Sequence, residues 1–365
     1  MKICILSMQN IDNYGSVLQA YSLKKIVESL GHTVRFIDIV PGMNTNLNNE
    51  CLVLAGRNSY VSSNKLDNLP SRIINKIKKL PVERMYKRFR RDNLNIGVGK
   101  PEESYDICII GSDEVFNCIQ FSKWGFTGQL YGDVKQAKKI ITYAASCGST
   151  TEAELTENVR TAIQIAFRNI SKFSVRDLNT ENFVYKITGK RATINLDPVA
   201  VGDFENEIIN SSLNDKLPAH YCIIYSYKDR ISDEKTIEAI KEFCREKRLT
   251  PVALFGGQKW IPQNPLLSPF EVLKAFNEAD FVITDTFHGT LFGAKYAKKM
   301  ALIIRDSNKN KLSDLIERLY LKEHVISNTN DLEEKYNLNI NKEKIKSVLL
   351  NERERTINYF KDILY

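Results

Sequence analysis

The chain has 365 residues, of which 43% are hydrophobic and 26% charged, and its net charge is +8. Those proportions describe an ordinary globular protein and exclude a disordered or fibrous one. The length exceeds a single ordinary core, so two domains are expected.

The opening MKICILSMQN has one lysine and an apolar core too brief for a signal peptide, so it reads as a first strand. No apolar run approaches the roughly twenty residues that a bilayer-spanning helix needs. The expected location is therefore the cytoplasm. After strand 3–7 come a helix over 16–31, with Val17, Leu18, Tyr21, Ile26, Val27 and Leu30 on one face and Gly31 at its end, and a strand over 33–39. Residues 42–100 read as a basic, irregular insertion. Strands 106–111 and 139–146, a helix near 152–169, strand 173–177, another helix and strand 192–197 complete a first alternation of strand and helix.

A second alternation runs through strand 222–227, helix 233–247, strand 251–256, helix 269–278, strand 281–285, a helix from 288 and strand 300–304. Such alternation predicts parallel sheets with crossover helices, and hence two doubly wound Rossmann-like α/β domains. The turn-rich stretch 197–218 sets the boundary, giving domains over 1–197 and 198–340. Residues 341–365 read as one helix, with Ile345, Phe360 and Leu364 on its apolar face, that crosses back onto the first domain.

Charge and thiols narrow the chemistry. Residues 72–91 hold nine Lys/Arg and one Glu, a local +8 that equals the excess of the whole chain. No recognition helix or stacking motif accompanies it, which argues against nucleic acid. A solvated charged insertion and a peripheral contact with anionic lipid both remain open. Seven cysteines without a CxxC pair and four scattered histidines predict reduced, packed thiols and no metal site.

In open parallel sheets, ligands gather outside the carboxyl ends of the strands, and the candidate residues fall there. Asn13, Tyr14, Gly15 and Ser16 form a turn into a helix and can serve either as caps or as an anion site. Ser112 and Asp113, after strand 106–111, can cap a helix or place an acid at a cleft. Arg176 finishes an apolar strand and needs a partner, either a carboxylate such as Asp177 or an anionic substrate. In TDTFHGTLFG, His288 opens a helix with Asp285 three residues before it and Thr286 and Gly289 beside it. Capping and catalysis both fit, and the helix N-terminus favours a neutral imidazole.

Six motifs in order, NYGSVLQAYSLKKIVESLGHTVRFIDI, YDICIIGSDEVFN, KKIITYAASCGS, FSVRD, LDPVA and SPFEVLKAFNEADFVITDTFHGTLFGAKYAKKMALII, resemble those of the polysaccharide pyruvyl transferase family, in its branch with a Ser/Thr-Phe-His-Gly motif. The resemblance implies a GT-B-like fold and transfer of pyruvate from phosphoenolpyruvate to a sugar of a bacterial surface or capsular polysaccharide precursor, as a ketal. The acceptor could be lipid-linked, and no cofactor is implied beyond the co-substrate. On this likeness His288 is the acid or phosphate-side donor, with Asp285 beside it, and Asp113 is the base or an acceptor ligand. Arg176 is an anion clamp, while the Gly15 turn and Lys311 are further anion-site candidates.

Relatives often carry an arginine where this chain has Thr286, which removes one guanidinium anchor. Cys147 stands where relatives have a bulky apolar residue, as a packed thiol would. Two competitors follow. One is a nucleotide-sugar glycosyltransferase of GT-B fold, for which Glu271 and Glu278 form a pair one residue short of the usual spacing. The other is an inactive sugar-binding relative.

Overall fold

A computed structural model describes residues 1–56, 69–98, 104–119, 124–305 and 309–364. Strands Lys2–Leu6 (β1), Thr33–Phe36 (β2), Tyr105–Ile110 (β3), Ala137–Thr142 (β4) and Ile170–Lys172 (β5) form one parallel sheet in the order β2-β1-β3-β4-β5. Ile3, Cys4, Ile5 and Leu6 in β1 are fully buried. A parallel sheet covered on both faces takes such unbroken apolar runs in place of an alternating pattern. Strands Ser174–Val175 (β6) and Thr193–Ile194 (β7) pair separately, shorter than the runs 173–177 and 192–197. β6 stops early because the Arg176 amide turns to the carbonyl of Ala145 at 2.9 Å.

The second sheet contains Tyr221–Ser226 (β8), Thr250–Phe255 (β9), Phe281–Thr284 (β10), Met300–Ile303 (β11) and Val325–Ile326 (β12). They are ordered β12-β11-β10-β8-β9 and are parallel throughout. Asp233 caps the helix Glu234–Glu246, and Ser268 with Glu271 forms a capping box on the helix Pro269–Glu278.

The chain divides into two compact units. The first comprises Met1–Asp12, Ser16–Pro198 and Arg355–Tyr365, and the second Asn13–Gly15 and Val199–Glu354. The helix Lys342–Leu364 thus contributes to both, and its last turns complete the first unit's core. Phe360 is fully buried with its ring 4.8 Å from that of Tyr143, and the Tyr359 hydroxyl donates to the carbonyl of Thr142 at 2.8 Å.

One reading needs correction. The segment 42–100 is not irregular among its described residues, for it holds the helices Thr45–Leu54 and Leu69–Leu94. Asn44 caps the first through its side chain. The second is held by Tyr86 and Phe89, both buried, and Phe89 packs edge-on against Tyr21 at 6.3 Å. Arg88 and Arg91 occupy the other side, with side chains 79% and 61% exposed, while Arg90 turns inward to Asp12. A few buried aromatics at helical spacing suffice to dock a helix whose composition looks like a loop.

Within the second unit, the Lys342 ammonium donates to the carbonyls of Gly293 and Ala294, at the end of the helix Phe287–Tyr296. Burial pushes its pKa down to about 7 from the ordinary 10.5. The folded value lies below the unfolded one, so the unfolded chain holds the extra proton between those two pH values. Stability is therefore expected to rise as pH increases through that window, and Lys342→Met should flatten that part of a thermal-melt series.

Candidate active site

In the first unit a polar cluster forms at the carboxyl edge of the sheet, beyond β3, β4 and β6. The chain leaves β3 through Gly111, where a Cβ would stand 2.3 Å from the carbonyl oxygen of Tyr143, so only glycine fits. Asp113 then adopts a left-handed backbone, with φ of 74°. Non-glycine residues seldom hold this conformation unless their surroundings impose it. The surroundings here are specific. The Ser16 hydroxyl donates to Asp113 Oδ2 at 2.7 Å, the amide of Ser146 donates to the Asp113 carbonyl at 3.0 Å, and Arg176 Nη1 lies 3.8 Å from Oδ1.

Arg176 is 2% exposed and meets Asp197 at 3.2 Å, so its main partner is a carboxylate 21 residues ahead and not Asp177. Burial opposes its charge, but the surrounding carboxylates, Asp197 first and then Asp113, Asp177 and Glu114, together outweigh burial and hold the guanidinium pKa up. Asp177 instead caps the helix Leu178–Thr188 and accepts from Ser146. Ser112 is fully buried, and its hydroxyl faces the carbonyl of Ala144 at 2.9 Å and Asp197 at 3.1 Å. Cys147 is a packed thiol that donates to the carbonyl of Thr150, and burial pushes its pKa up.

The second unit carries the histidine. Thr286 caps the helix Phe287–Tyr296 by accepting from the Gly289 amide at 2.9 Å, which places His288 in the first turn, half-buried. Gly289 is required by crowding, since a Cβ there would stand 2.2 Å from the Thr284 hydroxyl and 2.7 Å from the Tyr225 ring. Gly15 is tighter still, because a Cβ would fall 2.1 Å from His288 Nδ1. The turn that brings Gly15 there is fixed on both sides. Asn13 accepts from the Gly15 amide at 2.8 Å, and the Tyr14 hydroxyl donates to the carbonyl of Leu267 at 2.9 Å.

Asp285 is fully buried and gathers two arginines. Arg305 Nε stands 2.7 Å and Arg230 Nε 3.4 Å from its Oδ2, and the arginine side chains remain 32% and 25% exposed. Neither arginine is part of a recognisable motif. Arg305 had a usable signal all the same, since it ends the apolar run MALII as Arg176 ends FSV. Lys311 falls in the helix Lys309–Arg318, but its side chain lies outside the described residues.

Glu271 and Glu278 do not act as a pair. Glu271 serves the capping box and meets Lys216 at 2.6 Å, while Glu278 meets Lys274 at 3.0 Å. Among the described residues no group of His, Cys, Asp and Glu could hold a metal ion, and no helix is long and apolar enough to cross a membrane.

Two parallel five-stranded Rossmann-like sheets, each carrying polar side chains just beyond its strand ends, define a GT-B-like α/β protein. One solved structure supports that class, and two others are weaker likenesses. The UDP-GlcNAc 2-epimerase from Methanocaldococcus jannaschii is 13% identical, covers 99% of both chains and has a TM-score of 0.50. The Neisseria meningitidis UDP-GlcNAc 2-epimerase bound to UDP-GlcNAc is 9% identical over 98% of this chain and 99% of that one, with a TM-score of 0.48. The glycosyltransferase SnogD from Streptomyces nogalater is 12% identical over 97% and 94%, with a TM-score of 0.42. At these identities the likeness concerns the fold alone. No curated protein matches the chain. The family model for polysaccharide pyruvyl transferases matches residues 13–307, and the chain belongs to that family of transferases.

Proposed function

We propose that the protein transfers a pyruvyl group from phosphoenolpyruvate to a sugar of a bacterial surface or capsular polysaccharide precursor, as a ketal. The observation that carries this reading is the pair Arg230 and Arg305 drawn together on buried Asp285 in the same unit as His288. Phosphoenolpyruvate bears a phosphate and a carboxylate, and two partly exposed guanidiniums offer charge-assisted bonds to both. They supply the cationic anchor that Thr286 does not.

In the proposed reaction one sugar hydroxyl adds to C2 of phosphoenolpyruvate while His288 gives a proton to C3. A second hydroxyl then displaces inorganic phosphate from C2 and closes the ketal. One hydroxyl proton passes to Asp113 as base and from it to the departing phosphate, and the other passes to the imidazole, which restores the acid. Arg176, buried among carboxylates, acts by positioning Asp113 instead of touching the substrate.

The test is a calorimetric titration with phosphoenolpyruvate, run beside UDP- and GDP-sugars. Arg305→Ala is expected to weaken phosphoenolpyruvate binding by about 1.5 to 3 kcal/mol, the worth of a charged hydrogen bond. Arg230→Ala, at the longer contact, should lose less. Unchanged affinity in both variants, or saturable binding of a nucleotide-sugar in place of phosphoenolpyruvate, would sink the reading.

A lipid-linked acceptor would suit the exposed basic face of the helix Leu69–Leu94, where Arg84, Lys87, Arg88 and Arg91 project. Co-sedimentation with vesicles containing anionic lipid is expected at low salt and should fade as salt is raised. Binding that is indifferent to salt, or absent, would remove the membrane from this account.

A further inference from the structure

One cavity has no part in the chemistry above. It lies within the first unit and has a volume of about 430 Å³. Met8 and Asp12 line it from the stretch after β1, Asn117 and Cys118 from the stretch after β3, and Trp124 and Phe126 from the segment that follows. In the order β2-β1-β3-β4-β5 the winding reverses between β1 and β3. The cavity therefore sits outside the carboxyl ends of two strands at the topological switch point, where open parallel sheets take their ligands.

Its wall is apolar, with stacked rings. Trp124 and Phe126 are each 6% exposed, and Phe126 stacks on Tyr131 at 5.4 Å, which in turn stacks on Phe116 at 5.7 Å. Its rim is polar but carries little charge. The Asn10 amide nitrogen donates to Asp38 at 2.8 Å, which leaves its amide oxygen as an acceptor. The Asp12 carboxylate is met by Arg90 at 2.7 Å, and the same guanidinium donates its Nε to the carbonyl of Gln9 at 2.7 Å. Among the described lining residues there is no lysine or arginine to hold a phosphate or carboxylate. An aromatic wall for a C–H-rich face, with amide and carboxylate oxygens at its edge for hydroxyls, suits an uncharged pyranose and disfavours an anionic donor.

We infer that this cavity binds a neutral sugar unit of the acceptor. The word acceptor rests on the pyruvyl-transfer reading, while the saccharide site itself does not. The placement agrees with the chain path, since Asp113, the proposed base, stands two residues before Val115 of the cavity wall.

Two built-in reporters make the site testable in the full chain. The only tryptophans are Trp124 and Trp260, so Trp260→Phe isolates the emission of Trp124. Of the seven cysteines six are buried, and half-exposed Cys118 lines the cavity. A hydrogen bond from Cys51 lowers the Cys118 pKa, which favours its alkylation. The probes are the methyl glycosides of glucose, galactose, mannose and N-acetylglucosamine, with N-ethylmaleimide labelling of Cys118 followed by mass spectrometry.

At least one glycoside is expected to change Trp124 emission saturably and to shield Cys118. Trp124→Leu should weaken glycoside binding, followed by calorimetry, about tenfold and leave the phosphoenolpyruvate isotherm unchanged. Should no glycoside alter emission or labelling while phosphoenolpyruvate still binds, the inference fails and the proposed function stands. Protection of Cys118 by phosphoenolpyruvate alone would also overturn it, by making the cavity a donor site. Glycoside protection in a protein that ignores phosphoenolpyruvate would uphold the saccharide site and sink the proposed donor.

Discussion

Replacing Gly15 by alanine is expected to cut turnover roughly 100-fold, with little change in KM for phosphoenolpyruvate, because misplacing a reacting group by about 1 Å costs that much. The added Cβ would lie 2.1 Å from Nδ1, 2.2 Å from Cγ and 2.6 Å from Cε1 of His288, so it overlaps the ring itself and not a flexible tip. The backbone at Gly15 has little room to yield, since Asn13 holds its amide and Tyr14 is tied to the carbonyl of Leu267. The imidazole must therefore turn away. Phosphate release from phosphoenolpyruvate in the presence of acceptor measures the rate, and the ring resonances of His288 report its displacement. A displaced ring with full turnover would remove His288 from the role of acid.

Arg176→Met is expected to destabilise the first unit by about 3 to 5 kcal/mol, the usual result of removing one partner from a buried ion pair. Asp197 is fully buried, and without Arg176 its carboxylate keeps the Ser112 hydroxyl among the contacts described above. The double variant Arg176→Met, Asp197→Asn should recover part of the loss, because it removes the stranded charge as well. Urea unfolding of the single and double variants measures the coupling. Costs that add to within about 0.5 kcal/mol would show that the two side chains are energetically independent.

The Arg176 result also marks what the sequence could reveal. A guanidinium ending the apolar run FSV announces that it needs a partner, but its choice of Asp197 depends on β6 and β7 lying side by side, which no local pattern states. The long β-branched runs were legible for a different reason. Strands buried on both faces of a parallel sheet leave little choice of residue, so ICIL and FVIT identify themselves. The helix Leu69–Leu94 was hidden by its charges, and the two aromatics that dock it lie three residues apart in an otherwise basic stretch. At the candidate site, Thr286 and Gly289 could be noticed beside His288, but their work as a cap and as a crowded contact emerged only with Thr284 and Tyr225 in place. Arg230 follows β8 and Arg305 follows β11, far apart in the chain, and only the buried carboxylate of Asp285 brings them together.

The discontinuity of the first unit has a consequence for how the chain is made. Its core is closed by Tyr359 and Phe360, which leave the ribosome after the whole second unit has been translated. At ordinary translation rates the roughly 166 residues between Pro198 and the end of that helix at Leu364 take on the order of 8 to 33 seconds to synthesise. During that interval Tyr143, on the first unit's side, lacks the aromatic partners that cover it in the finished protein. The nascent first unit must wait with part of its apolar surface uncovered, and a chain that stalls anywhere before residue 355 is left with an open core at its beginning.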